Sequence, residues 1–197
     1  MARRINKKNI DQNQNVVKDE FERPKIEFII EQLINNESKY TDKELRDQLL
    51  TLVVTASDTT MNLVLAAIMY ISIYPEIQQK VFDEICEIFG DDSDDLDYER
   101  LSSLKYLEMV LKETLRLFGP LPITTREPVE DCDIGTGKPV RKGTKIFIFS
   151  YVLHQRKDIW GPDATEFDPE NFSPEKDLDR DPYSFTPFGM VSASLKC

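Results

Sequence analysis

Residues 49–73 form an apolar run that is interrupted near its middle by Thr55-Ala56-Ser57-Asp58-Thr59-Thr60. A carboxylate left unpaired in apolar surroundings is costly, so a long apolar helix normally excludes one. The interruption has two readings. It is a helix break, with two shorter helices meeting at Asp58, because hydroxyl-rich interruptions favour helix ends. Alternatively, it is a place where protons or a polar ligand are handled. The residues alone leave both open. The run has the roughly 20-residue length of a membrane span, but Asp58 within it makes a buried core helix the expectation. Residues 61–70 are apolar nearly all round, and a helix of that kind needs cover on every side.

The chain has 197 residues and a formal net charge of -11, which opposes a nucleic-acid partner because such a footprint needs a basic stripe. Cys86, Cys132 and Cys197 are odd in number and show no pairing pattern, so a reducing compartment is expected rather than a disulfide framework. With His154 as the single histidine, a His-rich metal site is excluded. Asp91-Asp92-Ser93-Asp94-Asp95-Leu96-Asp97 lacks the glycine and glutamate of an EF-hand and reads as a solvated acidic loop. The basic start, residues 1–8, is followed by no apolar stretch, so neither a signal peptide nor an anchor is expected within the chain.

Residues 1–24 are polar and read as a lead-in. Helical periodicity begins at 26–34, and Thr41 with Glu44 has the spacing of a capping box. Pro75 re-aims the chain. Ile77, Val81, Ile85 and Ile88 then mark one face of an amphipathic helix over 76–89, which Gly90 stops. A further helix is expected over 101–117, capped near Ser102 or Ser103. Residues 123–129 and 141–149 read as strands around Gly135, Gly137 and Pro139. Beyond 161 the chain is expected to meander. The fold class is therefore mainly α with a small β element. Glu113 and Arg116 stand three apart on one helical face. The spacing alone favours an ordinary surface ion pair, whereas the flanking leucines favour one at least partly buried.

The order of the motifs is more informative than any one of them. An acid-threonine pair, Asp58-Thr59, is followed by Glu113-Thr114-Leu115-Arg116. Next come Thr124-Thr125-Arg126-Glu127-Pro128, Leu153-His154, Phe167-Asp168-Pro169-Glu170-Asn171-Phe172, Phe185-Thr186-Pro187-Phe188-Gly189 and a cysteine. This series resembles the heme-thiolate monooxygenases, the cytochromes P-450, of the eukaryotic microsomal type near the fatty-acid hydroxylases. It covers residues 25–197 and corresponds to the C-terminal portion of that family.

The resemblance implies a partial cytochrome P-450 fold over 25–197, truncated at both ends, with heme as cofactor. It implies that Asp58 and Thr59 relay the protons needed to split dioxygen. Cys197 would be the thiolate ligand of the iron, at the end of a loop that Phe188 opens. Arg126 would pair with a heme propionate, and Glu113 and Arg116 would form a structural strut. His154 would make a structural hydrogen bond. Asn171 stands where the family often has arginine, which is expected to weaken the strut. The implied partners are a small apolar substrate, dioxygen and an electron-donating reductase. The implied location is the endoplasmic reticulum membrane, through an anchor outside this chain.

The cysteine loop departs from the family pattern Phe-x-x-Gly-x-Arg-x-Cys. Phe188 and Cys197 are nine steps apart, with Ala193 and Leu195 where glycine and arginine are usual. Two other readings stay open: an inactive fragment of the same family, and a helical interaction module that uses the face of residues 61–70.

Overall fold

The computed structural model describes residues 40–90, 98–135, 137–178 and 180–189. The expected lead-in over 1–24, the helix at 26–34, the acidic loop at 91–97 and Cys197 lie outside the described residues. The chain divides into two compact units, Met1–Leu52 and Val53–Cys197. Helix α1, Asp42–Ile73, runs through the division.

At its start α1 has the expected capping box. Glu44 Oε2 accepts from Thr41 N at 2.8 Å, and Thr41 Oγ1 accepts from Glu44 N at 3.3 Å. Of the two readings of residues 55–60, the helix break is not observed, since α1 is continuous for 32 residues. The physical reason lies in the hydroxyls. Thr59 Oγ1 donates to Thr55 O one turn back at 2.8 Å, which satisfies the side chain inside the helix instead of diverting the backbone. The expectation of a buried core helix also fails. Only Ala66 and Ala67 are buried, whereas Val53, Val54, Met61, Leu65, Ile68 and Met69 are exposed. By length and composition alone α1 could cross a membrane, and 11% of its most apolar window is buried.

Pro75 occupies the first turn of α2, Pro75–Phe89, where its missing N–H costs nothing. Ile77, Val81 and Phe89 are buried, but Ile85 is not. The inward position seven residues after Ile77 belongs to Glu84. Its carboxylate accepts the backbone N–H groups of Tyr106 at 2.6 Å and Leu107 at 2.9 Å. The helix expected over 101–117 is thus two helices, α3 (Tyr98–Ser102) and α4 (Lys105–Leu117). The residue before α4 is Leu104, which has no capping side chain, so Ser102 and Ser103 do not cap it. Glu84 supplies the missing acceptor from the neighbouring helix. In return, Arg100 of α3 donates to the terminal carbonyls of α2 at Ile88 and Phe89.

The core of the second unit lies between α2, α4 and the segment after residue 161. Ile77, Val81, Val110, Leu117 and Phe167 form one cluster, with Tyr70, Tyr74, Tyr106 and Leu107 against it. Phe167 stacks on Tyr70 at 4.1 Å between centroids. A second cluster joins Trp160, Ala164 and Phe172 with Met109 and Phe185.

The small β element consists of two hairpin-like pairs. Strand β1 (Ile123–Arg126) runs antiparallel to β4 (Ile146–Phe149), with Ile123 opposite Phe149 and Arg126 opposite Ile146. Strands β2 (Cys132–Asp133) and β3 (Pro139–Val140) pair between them. Two short helices follow, α5 (Ser150–Leu153) and α6 (Lys157–Trp160). The last segment holds a 3-10 turn at Pro169–Phe172, helix α7 at Pro174–Leu178 and a 3-10 turn at Pro182–Ser184.

Replacing Glu84 by Ala is expected to destabilise the second unit by about 1–2 kcal/mol, the usual cost of a lost helix cap. Glu87→Ala, one turn on and exposed, is expected to change stability by less than about 0.5 kcal/mol. Urea unfolding of the two variants checks this.

Candidate functional site

The Glu-x-x-Arg pair of α4 is completely buried, with both side chains at 0% exposure. All five N–H donors of the Arg116 guanidinium are used. Nε and Nη2 each donate to a Glu113 carboxylate oxygen at 2.7 Å. Nη1 donates to the carbonyls of His154 at 2.7 Å and Ala164 at 2.5 Å, and Nη2 also donates to that of Glu166 at 3.1 Å. Glu113 is equally saturated. Oε1 also accepts from Asp168 N at 2.9 Å and Asn171 Nδ2 at 3.2 Å. A buried ion pair offsets its desolvation only when the remaining donors and acceptors are satisfied, and here they are.

Asn171, at the position where the resemblance leads one to look for arginine, gives Glu113 a neutral amide donor in place of a charged one. A further arginine, which the sequence pattern did not single out, lies alongside. Arg180 donates to Asn171 O and sits over the Trp160 ring at 4.2 Å. Arg116 lies over the same ring at 4.8 Å. Trp160 Nε1 is buried and finds no hydrogen-bond partner among the described residues.

His154 links this centre to the following loop. Its ring is 2% exposed and lies 5.4 Å from that of Phe185. Nε2 accepts the Thr186 N–H at 3.0 Å. Burial pushes the imidazole down to about 4, because a charged ring is poorly solvated there.

Arg126 stands at the end of β1. Its guanidinium donates to the adjacent Thr125 O at 3.0 Å, and no carboxylate pairs with it among the described residues. Gly189 lies beside it with φ of +71°, a conformation that disfavours a side chain, and a Cβ there would be 3.5 Å from Arg126 Nη2. Phe188, next in the chain, is 81% exposed. An unpaired guanidinium, a bare backbone and an exposed aromatic ring suit a flat apolar group that carries a carboxylate.

Asp58 is exposed on α1 and Thr59 is half-buried. Among the described residues no hydrogen bond joins either of them to Arg126 or Phe188. Cys197 lies outside the described residues.

Comparison with known proteins gives one family. The family model described as "Cytochrome P-450" matches residues 2–190, which stops short of Cys197. A mouse protein, cytochrome P-450 4V2, is 38% identical over 151 residues, covering 77% of this chain and 28% of the relative. A Drosophila melanogaster protein named probable cytochrome P-450 313a4 is 36% identical over 150 residues, covering 76% of this chain and 30% of its own length. The chain therefore spans about a third or less of the length of these two relatives. A crystal structure of a cytochrome P-450 superposes with a TM-score of 0.70 at 28% identity, over 78% of this chain and 35% of the other.

Two expectations follow. Arg116→Lys replaces five fixed donors by three mobile ones and is expected to destabilise the chain by about 3–5 kcal/mol in urea unfolding. For His154, the unfolded ring titrates near its ordinary 6.5 and the folded ring at about 4. The unfolded state therefore binds the proton first as pH falls. The stabilisation is complete above about 6.5 and drains away down to about 4, by at most about 3 kcal/mol. His154→Gln is expected to flatten the stability-pH curve between those values.

Proposed function

This chain belongs to the cytochrome P-450 family, whose cofactor is heme, and we propose that its protein is a heme-dependent monooxygenase that inserts one atom of dioxygen into a small apolar substrate. One observation carries the reading within the chain. Arg126, free of any carboxylate partner among the described residues, sits against Gly189 and next to exposed Phe188. Arg126 would hold a propionate and Phe188 would pack on the porphyrin, with Cys197 as thiolate ligand of the iron. Residues 25–197 would form the part of the heme domain present here.

Heme, when bound, supplies the oxidising chemistry. The chain's own contribution is to hold groups still and to move protons. Asp58, exposed on α1, would take protons from solvent, and Thr59 would pass them on. The Thr59 hydroxyl donates to Thr55 O, so it must rotate out of that bond to serve, and its oxygen can accept a new proton as it releases the first. Glu113 and Arg116 would take no part in the reaction; they fix the segments that carry the other groups. Electrons would come from a partner reductase, and the location would be the endoplasmic reticulum membrane, as the resemblance to the microsomal type implies.

A second reading is a catalytically inactive member. The stretch between Phe188 and Cys197 favours it, with Ala193 and Leu195 at the usual glycine and arginine positions.

Heme titration distinguishes the two. The first reading expects saturable uptake and, after reduction and addition of carbon monoxide, a red-shifted Soret band of the thiolate type that Cys197→Ser abolishes. Arg126→Ala is expected to weaken uptake about 10-fold or more, the cost of a charged hydrogen-bond donor. Absence of uptake would leave the inactive reading.

A further inference from the structure

A series of hydrogen bonds runs from the buried strut to Gly189, which lies beside the exposed guanidinium of Arg126, and one side chain closes the series. Arg116 Nη1 holds the His154 carbonyl at 2.7 Å. His154 Nε2 accepts from Thr186 N at 3.0 Å. Thr186 O accepts from Gly189 N at 3.0 Å. Gly189 lies against Arg126. His154 is thus fixed at its backbone by the strut and uses its side chain to hold a turn that carries Phe188 and Gly189.

We infer that His154 is a positioning residue: as the neutral Nδ1–H tautomer, it accepts the Thr186 amide on Nε2 and so sets the turn at residues 185–189 against Arg126. Three observations favour this over a space-filling role. The residue is almost fully buried, with its ring 5.4 Å from that of Phe185, where an unpaired polar atom would be costly. Its polar atom faces a backbone donor rather than solvent. Two donors cannot face each other, so the imidazolium and the Nε2–H tautomer both break the link. The link also needs the strut, because the His154 carbonyl takes one of the five Arg116 bonds.

The consequence for heme rests on the function proposed above, but the positioning role does not, and the test separates them. His154 is the single histidine, so the full chain labelled with 15N gives one imidazole pair. At pH 7 the expected spectrum shows a protonated Nδ1 and a bare Nε2; the opposite tautomer, or an imidazolium, overturns the inference. Hydrogen exchange supplies the second measurement. In His154→Phe the Thr186 amide is expected to exchange about 10-fold faster or more, the loss of roughly one hydrogen bond. The Asp168 amide, held by Glu113, should keep its rate. His154→Gln, whose Oε1 can accept in place of Nε2, should restore most of the protection. Unchanged Thr186 exchange in His154→Phe overturns the inference, and so does equal acceleration at Asp168, which would mark general loosening. If the wild-type chain takes up no heme while Thr186 behaves as described, the heme reading fails and the positioning role stands.

Discussion

The Glu113–Arg116 ion pair organises the second unit of this protein. Two opposite charges at 0% exposure are tolerable only because the five Arg116 donors and both Glu113 carboxylate oxygens have partners. Those partners are backbone groups of residues 154, 164, 166 and 168 and the side chain of Asn171. None of these segments forms long regular structure, so their backbone groups would otherwise lack ladder partners. The pair does for an irregular segment what a helix or sheet does for a regular one: it supplies its hydrogen bonds. This explains how a chain rich in Pro, Asp and Phe after residue 161 packs into an ordered shell around α4.

The same economy recurs at the helix ends. Glu84 occupies a position on the apolar face of α2 where periodicity calls for a hydrophobic side chain, and it uses that position to cap α4. Arg100 closes the end of α2 with its guanidinium. These polar groups reach across to neighbouring elements, and the helices are consequently tied end to end as well as face to face. His154 extends the pattern to the turn that carries Phe188 and Gly189, with a side chain whose neutrality is enforced by burial.

Helix α1 is different in kind. Its apolar residues are mostly exposed while α2, α4 and the later segments share a closed core. Such a patch is the part of the surface most ready to meet another apolar surface. Asp58 and Thr59 lie on this helix, and their relay role is a proposal that depends on what occupies that face.

Much of the architecture was legible in the residues. The capping box at Thr41 and Glu44, the stop at Gly90 and the pairing of Glu113 with Arg116 follow from local chemistry, and the strands Ile123–Arg126 and Ile146–Phe149 are shorter than the 123–129 and 141–149 that periodicity marked. The order of the motifs pointed to the cytochromes P-450. The errors have a common cause. A helix break at Asp58 was one of two readings, because hydroxyl residues compete for backbone groups, yet Thr59 turned that competition into a bond one helical turn back. One helix was expected at 101–117 because sequence cannot show that a carboxylate 22 residues away caps a second start.

The sequence by itself determined where the long helices run, which pair of charges sits on one face, and which family the motifs belong to, because these depend on spacing along the chain; the short helices at Ser150–Leu153, Lys157–Trp160 and Pro174–Leu178 were not legible in it. Only the tertiary structure decided that Arg116 satisfies three distant carbonyls, that His154 accepts the Thr186 amide, and that Arg126 meets Gly189. Each of those contacts joins residues far apart in sequence, and a hydrogen bond depends on distance and direction in space, which spacing along a chain does not encode.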